Sequence, residues 1–157
     1  MEIVIVFGTE YGNTERLARA MGAAVESGNT VRVLGVEAAA SLDGAGVDLL
    51  VVGAPTQIHG MRNIVKPFLS ELPERHFRDV AAAAFDTKLP GATWKTGAAS
   101  KGIADRLEHA GLRLVRPPES FIVTESEGPL ADGEEARAVA WMLDVAGAAT
   151  PIGAVPI

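Results

Sequence analysis

Ile3-Val4-Ile5-Val6-Phe7 is an unbroken apolar run, and its first four side chains are β-branched. A strand with one face in water alternates polar and apolar residues. A run without alternation suits a strand covered on both faces. The residues after the run constrain the chain further. Residues 8–13 are polar and carry two glycines. From Thr14 the apolar residues Leu17, Met21, Ala24 and Val25 recur at helical spacing, with Glu15, Arg16 and Arg19 off that face. A strand, a glycine-bearing loop and an amphipathic helix form the repeating unit of a parallel sheet.

The unit recurs along the chain. Gly28 and Asn29 stop the first helix, and residues 30–36 read as a second strand. Residues 37–46 are Ala-rich and predict a short helix broken at Asp43-Gly44. Residues 48–53 form a strongly apolar third strand, followed by loop over 54–63. Pro67 fits the first turn of a helix carrying Phe68, Leu69 and Leu72, where its missing N–H costs nothing. Residues 80–85 predict a fourth strand, 86–97 a polar loop, and 98–110 a helix with Ile103, Leu107 and Ala110 inward. Residues 112–115 and 120–124 predict a fifth strand interrupted by Pro117-Pro118. Asp132 is placed to cap a last helix with Ala136, Val139, Ala140 and Leu143 inward. The expected architecture is α/β, a doubly wound parallel sheet of five strands in three layers. It spans residues 1–147 as one domain, with 148–157 a loosely held tail.

Composition excludes several functions. At 157 residues, 48% hydrophobic and 22% charged, the chain has the composition of a single globular domain. The 20 acidic residues outnumber the 14 basic ones and leave a net charge of −6, which argues against nucleic-acid partners. With no cysteine, disulfides, thiolate metal sites and cysteine nucleophiles are all excluded. No apolar stretch reaches the ~18 residues of a membrane span, and no signal peptide precedes the first strand. The expectation is a cytoplasmic protein without membrane partners.

Ligands in doubly wound sheets sit beyond the carboxyl ends of the strands, where strand order reverses. That assigns function to residues 8–14, 54–63 and 86–97. The first loop reads Gly8-Thr9-Glu10-Tyr11-Gly12-Asn13-Thr14 and runs into a helix N-terminus, a natural anion site. Thr9 and Thr14 offer hydroxyls, Asn13 a side-chain N–H, and Gly12 close backbone approach. The loop has no Lys or Arg, and neither the P-loop nor the G-x-G-x-x-G spacing is met. A terminal monophosphate suits it better than a triphosphate with magnesium. Alternatively, Thr and Asn only cap the helix.

Here a resemblance becomes specific. Residues 9–15, read as T-x-Y-G-N-T-E, are similar to the phosphate loop of flavodoxins, and residues 48–56 resemble the flavodoxin third strand with its G-x-P-T turn. Both lie at the proper strands, and the strand–helix rhythm covers nearly all of residues 1–146. The resemblance implies the strand order 2-1-3-4-5 and FMN as cofactor. It implies that Thr9, Glu10, Tyr11, Gly12, Asn13 and Thr14 surround the phosphate. Pro55, Thr56, Gln57, Ile58, His59 and Gly60 would cover one side of the flavin, with Gly60 the peptide that reorients on protonation of the ring. Asp86 and Thr87 would meet the pyrimidine edge with backbone groups, and Lys88 or Lys95 would lie near N1. Trp94 either stacks on the outer face or anchors its loop on the following helix. His59 is either a ring contact or a solvent-facing residue. The chain departs from the family in lacking an aromatic over residues 57–61 and a Tyr in the third loop.

The implied function is electron transfer between redox proteins, a reductase and an acceptor, with an acidic surface suited to basic partners. An NAD(P)H:quinone reductase-like or protoporphyrinogen oxidase-like enzyme is an alternative, as is a flavin-less binding module. A receiver domain is excluded, since Gly8-Thr9 and Ala54-Pro55 stand where receivers need their acidic residues. Trp141, on the last helix, reads as core or interface.

Overall fold

The sheet is wound outward from β1 (Glu2–Phe7), which pairs in parallel with β2 (Thr30–Gly35) on one side and β3 (Leu49–Pro55) on the other. These relationships come from a computed structural model of the chain, which describes residues 1–56, 64–91 and 97–151. β4 (Ala81–Lys88) pairs with β3 along its length. Its first half then pairs with β5 (Arg113–Leu114) and its second half with β6 (Glu119–Ile122). The order is β2-β1-β3-β4-β5, with β6 also on β4, so the fifth strand is split as the two prolines predict.

Period-2 alternation sends each strand's side chains to two separate cores. Ile3, Ile5 and Phe7 of β1, Leu49 and Val51 of β3, and Ala81, Ala83 and Phe85 of β4 face α1 (Asn13–Ala24) and α4 (Glu134–Ala149). Val4, Val6, Leu50, Val52, Ala82 and Ala84 face the other way. They meet α2 (Lys66–Glu71), α3 (Ala99–His109) and a short 3-10 turn, Ala38–Ser41. The result is three layers. Among the described residues no helix is long and apolar enough to cross a membrane, and no group of acidic and His side chains could hold a metal ion.

The structure corrects several expectations. β4 runs three residues further than the apolar pattern, so Asp86, Thr87 and Lys88 are buried strand residues and not loop. Pairing with β6 extends the ladder through Lys88 and overrides the polar sequence. The N-cap of α4 is Gly133, in the left-handed region at φ 83, and no side chain caps it, so Asp132 does not. The buried stripe of α4 is Ala138, Met142, Val145, Ala146 and Ala149. Ala136 and Ala140 are exposed, Val139 is half-buried, and Leu143 is 51% exposed. This helix is apolar on most of its circumference, so hydrophobic spacing alone does not select the stripe. α4 also continues to Ala149, two residues into the expected tail.

Candidate functional site

The carboxyl ends of β1, β3 and β4 lie side by side, and the loops leaving them share that edge of the sheet. Gly8 leaves β1 with its N–H donated to Gly53 O of β3 at 2.9 Å. A Cβ on Gly8 would lie 2.4 Å from Ile64 Cγ2, so only glycine lets the loop pass beneath the lead into α2.

The loop then folds on itself. Thr9 Oγ1 accepts the Gly12 N–H at 2.9 Å. Gly12 is the N-cap of α1 at φ 88, a left-handed conformation that costs glycine nothing. The first bond of α1 runs from Arg16 N to Gly12 O at 3.0 Å. No side chain caps the helix, so the N–H groups of Asn13, Thr14 and Glu15 are left pointing out of its first turn. The reading in which Thr9, Asn13 or Thr14 serves only as helix cap therefore fails. The arginines of α1 are engaged elsewhere: Arg16 pairs with Glu135 at 2.9 Å and Arg19 with Glu15 at 2.8 Å. The loop offers neutral donors and a helix dipole.

Each predicted residue of this loop has a distinct place. Thr14 is 1% exposed, and its hydroxyl lies 3.2 Å from that of Thr87. Asn13 does not aim its amide at the loop: Nδ2 donates to Glu127 O at 3.2 Å, bracing the β6–α4 connection. A Cβ on Gly128 would come within 2.7 Å of Asn13 Oδ1, so that contact also requires glycine. Tyr11 is 50% exposed. Glu10 is exposed at the rim.

The second and third loops meet through backbone and side chain. Pro55 ends β3, and Thr56 N donates to Thr87 O at 2.8 Å. Thr56 Oγ1 accepts the N–H of Ala99 at 2.9 Å, at the start of α3. Asp86 and Thr87 have their backbone groups inside the sheet ladders, between Ala54-Pro55 and Ser120-Phe121. They are therefore not spare for a ligand's edge, contrary to expectation. Lys88 is likewise buried, with its ammonium donating to Gly91 O at 3.2 Å. It holds its own turn. Gln57, Ile58, His59, Gly60, Trp94 and Lys95 lie outside the described residues.

Asp86 is the residue whose role the sequence reading missed. Its side chain is fully buried, and Oδ2 accepts the Ser100 N–H at 2.8 Å, so the strand end caps α3. The hydroxyls of Ser120, Ser100 and Thr56 help hold its charge. Burial dominates and raises its carboxyl above the ordinary range. Oδ1 has no hydrogen-bond partner among the described residues. An Asp closing an apolar strand, shortly before a helix with no capping residue of its own, was the available signal.

Solved structures share this fold. A flavodoxin from the domain Archaea superposes with a TM-score of 0.78 at 19% identity, over 96% of this chain and 100% of its own. The chain has the flavodoxin fold. Oxidised flavodoxin 1 from Bacillus cereus shares this flavodoxin fold at a TM-score of 0.76 and 16% identity, over 94% of this chain and 98% of its own. Rubredoxin oxygen:oxidoreductase from Desulfovibrio gigas carries the flavodoxin fold over 36% of its length, matching 94% of this chain at a TM-score of 0.73 and 18% identity. No family model matches the chain, and no curated protein matches it in sequence.

Proposed function

We propose that the chain binds FMN without a covalent bond and carries electrons between protein partners in the cytoplasm. The observation that carries this reading is the uncapped start of α1 behind a left-handed Gly12, set at the carboxyl end of the central strand β1. A phosphate there meets the N–H groups of Asn13, Thr14 and Glu15 and the positive end of the helix. The donor set fits a monophosphate: the loop supplies hydroxyls and N–H groups and contains no Lys or Arg, so a single phosphate is bound and a polyphosphate with its metal is not favoured. The unpartnered Oδ1 of Asp86 lies at the same edge of the sheet.

When bound, FMN supplies the redox chemistry, one or two electrons at the isoalloxazine ring. The chain's residues hold and orient it. Thr9 shapes the loop around the phosphate, and Thr14 presents its hydroxyl from the first turn of α1. Thr56 and Lys88 brace the second and third loops. Glu125, Glu127 and Asp132 are exposed, and Asn13 ties Glu127 to the loop. Negative charge beside the ligand loops suits a basic reductase or acceptor, with steering that fades as salt rises.

An absorption spectrum of the purified protein, then titrations with FMN and riboflavin, tests the reading. Flavin bands, or FMN binding much tighter than riboflavin binding, support it. A colourless protein indifferent to FMN overturns it. NADPH oxidation by the protein alone with a quinone would replace the carrier by an enzyme.

A further inference from the structure

We propose that Thr87 is a positioning residue that makes the Thr14 hydroxyl a phosphate donor, so that the end of β4 helps select phosphorylated over unphosphorylated flavin. The proposal rests on the FMN reading of the loop at residues 9–14.

The two hydroxyls lie 3.2 Å apart in a buried contact that joins α1 to β4. Thr14 is 1% exposed and Thr87 3%. A hydroxyl carries one proton and two acceptor positions, and leaving it unpaired when buried is costly. Among the described residues neither side chain has another hydrogen-bond partner. The pair therefore contains two protons and one shared contact. One proton lies between the oxygens and the other is left over.

The surroundings decide which one is left over once an anion arrives. Thr14 stands in the first turn of α1, among the N–H groups that no side chain caps. Thr87 stands in a strand paired on both sides, to Pro55 and to Phe121. A β-branched side chain on such a backbone has few rotamers, so Thr87 is the fixed member. With Thr87 donating to Thr14 Oγ1, the Thr14 proton is free to point at a phosphate oxygen. The reverse order would aim the Thr14 proton at Thr87 and present a lone pair to the anion. A charge-assisted bond at the far end of the chain favours the first order.

The test reads a ratio that a structural role would not move. Dissociation constants for FMN and for riboflavin are measured for wild type, Thr87→Val and Thr87→Ser. Thr87→Val is expected to weaken FMN about tenfold and leave riboflavin unchanged, while Thr87→Ser keeps wild-type selectivity. Thr87→Ala carries the same expectation as Thr87→Val, so misfolding of one substitution does not decide the matter. In Thr14→Val the further change Thr87→Val is expected to have no effect on the ratio, because the residue it acts through is gone. Equal losses for both ligands in Thr87→Val, no loss for either, or failure of Ser to rescue overturns the positioning role. If wild type itself does not prefer FMN to riboflavin, the FMN reading falls and this inference with it. A wild-type preference whose size is unchanged in Thr87→Val sinks the inference alone.

Discussion

Asp86 Oδ2 accepts the backbone N–H of Ser100 at 2.8 Å, so a carboxylate at the end of β4 caps the helix that begins 13 residues later at Ala99. The cap ties strand to helix across the whole third loop. It also buries a charge. Burial raises the folded-state pKa of Asp86 above its unfolded value near ~3.9. The folded state therefore binds the proton more tightly, and this contribution to stability is present at low pH and lost as pH rises through the raised pKa. Asp86→Asn keeps an acceptor for Ser100 and has no charge to desolvate. Denaturant unfolding between pH 4 and 8 is expected to show the wild type losing stability relative to Asp86→Asn as pH rises. A parallel pair of curves would contradict the burial of an ionisable group here.

Glu134 behaves in the opposite sense. Its hydrogen-bonded pair with Arg137, 2.8 Å apart, lowers its pKa, and the carboxylate also accepts Ile122 N at 2.7 Å. Stability from a lowered carboxyl is present above the unfolded pKa and lost as pH falls through the folded one. Arg137 also bridges to Glu119 at 3.0 Å and lies 4.5 Å above the Phe121 ring. Because the guanidinium is partly solvated, Arg137→Met is expected to cost only about 1–2 kcal/mol at neutral pH. The gap between wild type and variant should close in acid, as pH falls below the ordinary carboxyl value of 4.5 and through the lowered folded one, as read by thermal melts.

Gly53 is the glycine of the G-x-P-T turn, and its requirement is steric. A Cβ there would lie 2.1 Å from Phe85 Cζ. Phe85 makes edge contacts with Phe121 and Trp141 at 6.1 and 6.0 Å, so it cannot yield without disturbing both. Gly53→Ala is expected to destabilise by about 1–3 kcal/mol. A combined Gly53→Ala and Phe85→Leu chain should recover part of the loss in urea unfolding, because the shorter side chain vacates the space. No recovery would place the strain elsewhere.

Asn13 separates a brace from a ligand. Its amide is used on Glu127 O, so Asn13→Ala is expected to weaken FMN only about twofold to fivefold. Amide hydrogen exchange at residues 125–128 should rise in the same variant. A loss of FMN affinity beyond tenfold, with no change in exchange, would make Asn13 a direct phosphate donor.

The fold was legible because its signals are local and redundant. Continuous apolar runs marked β1 and β3, glycines marked loop exits, and Pro67 marked the start of α2. The loop at residues 8–14 was legible for the same reason, since one contiguous stretch carries its hydroxyls, its glycines and its helix start. The end of β4 was not. Asp86, Thr87 and Lys88 look like loop residues until β6 pairs with them, and β6 is set more than thirty residues further along. The core stripe of α4 was misread because Ala residues line several of its faces and the pattern has no single solution.

The amino-acid sequence by itself determined the strand–helix rhythm, the doubly wound class, the absence of thiol chemistry and the glycine-bearing loop that leads into α1. Those properties depend on side-chain periodicity and on residues adjacent in the chain. Only the tertiary structure decided what the polar side chains at the strand ends do. Thr14 meets Thr87 across 73 residues, and Asn13 meets Glu127 across 114. A buried polar group must find a partner, but its identity depends on which strands become neighbours, and that is settled by packing the two apolar faces of the sheet.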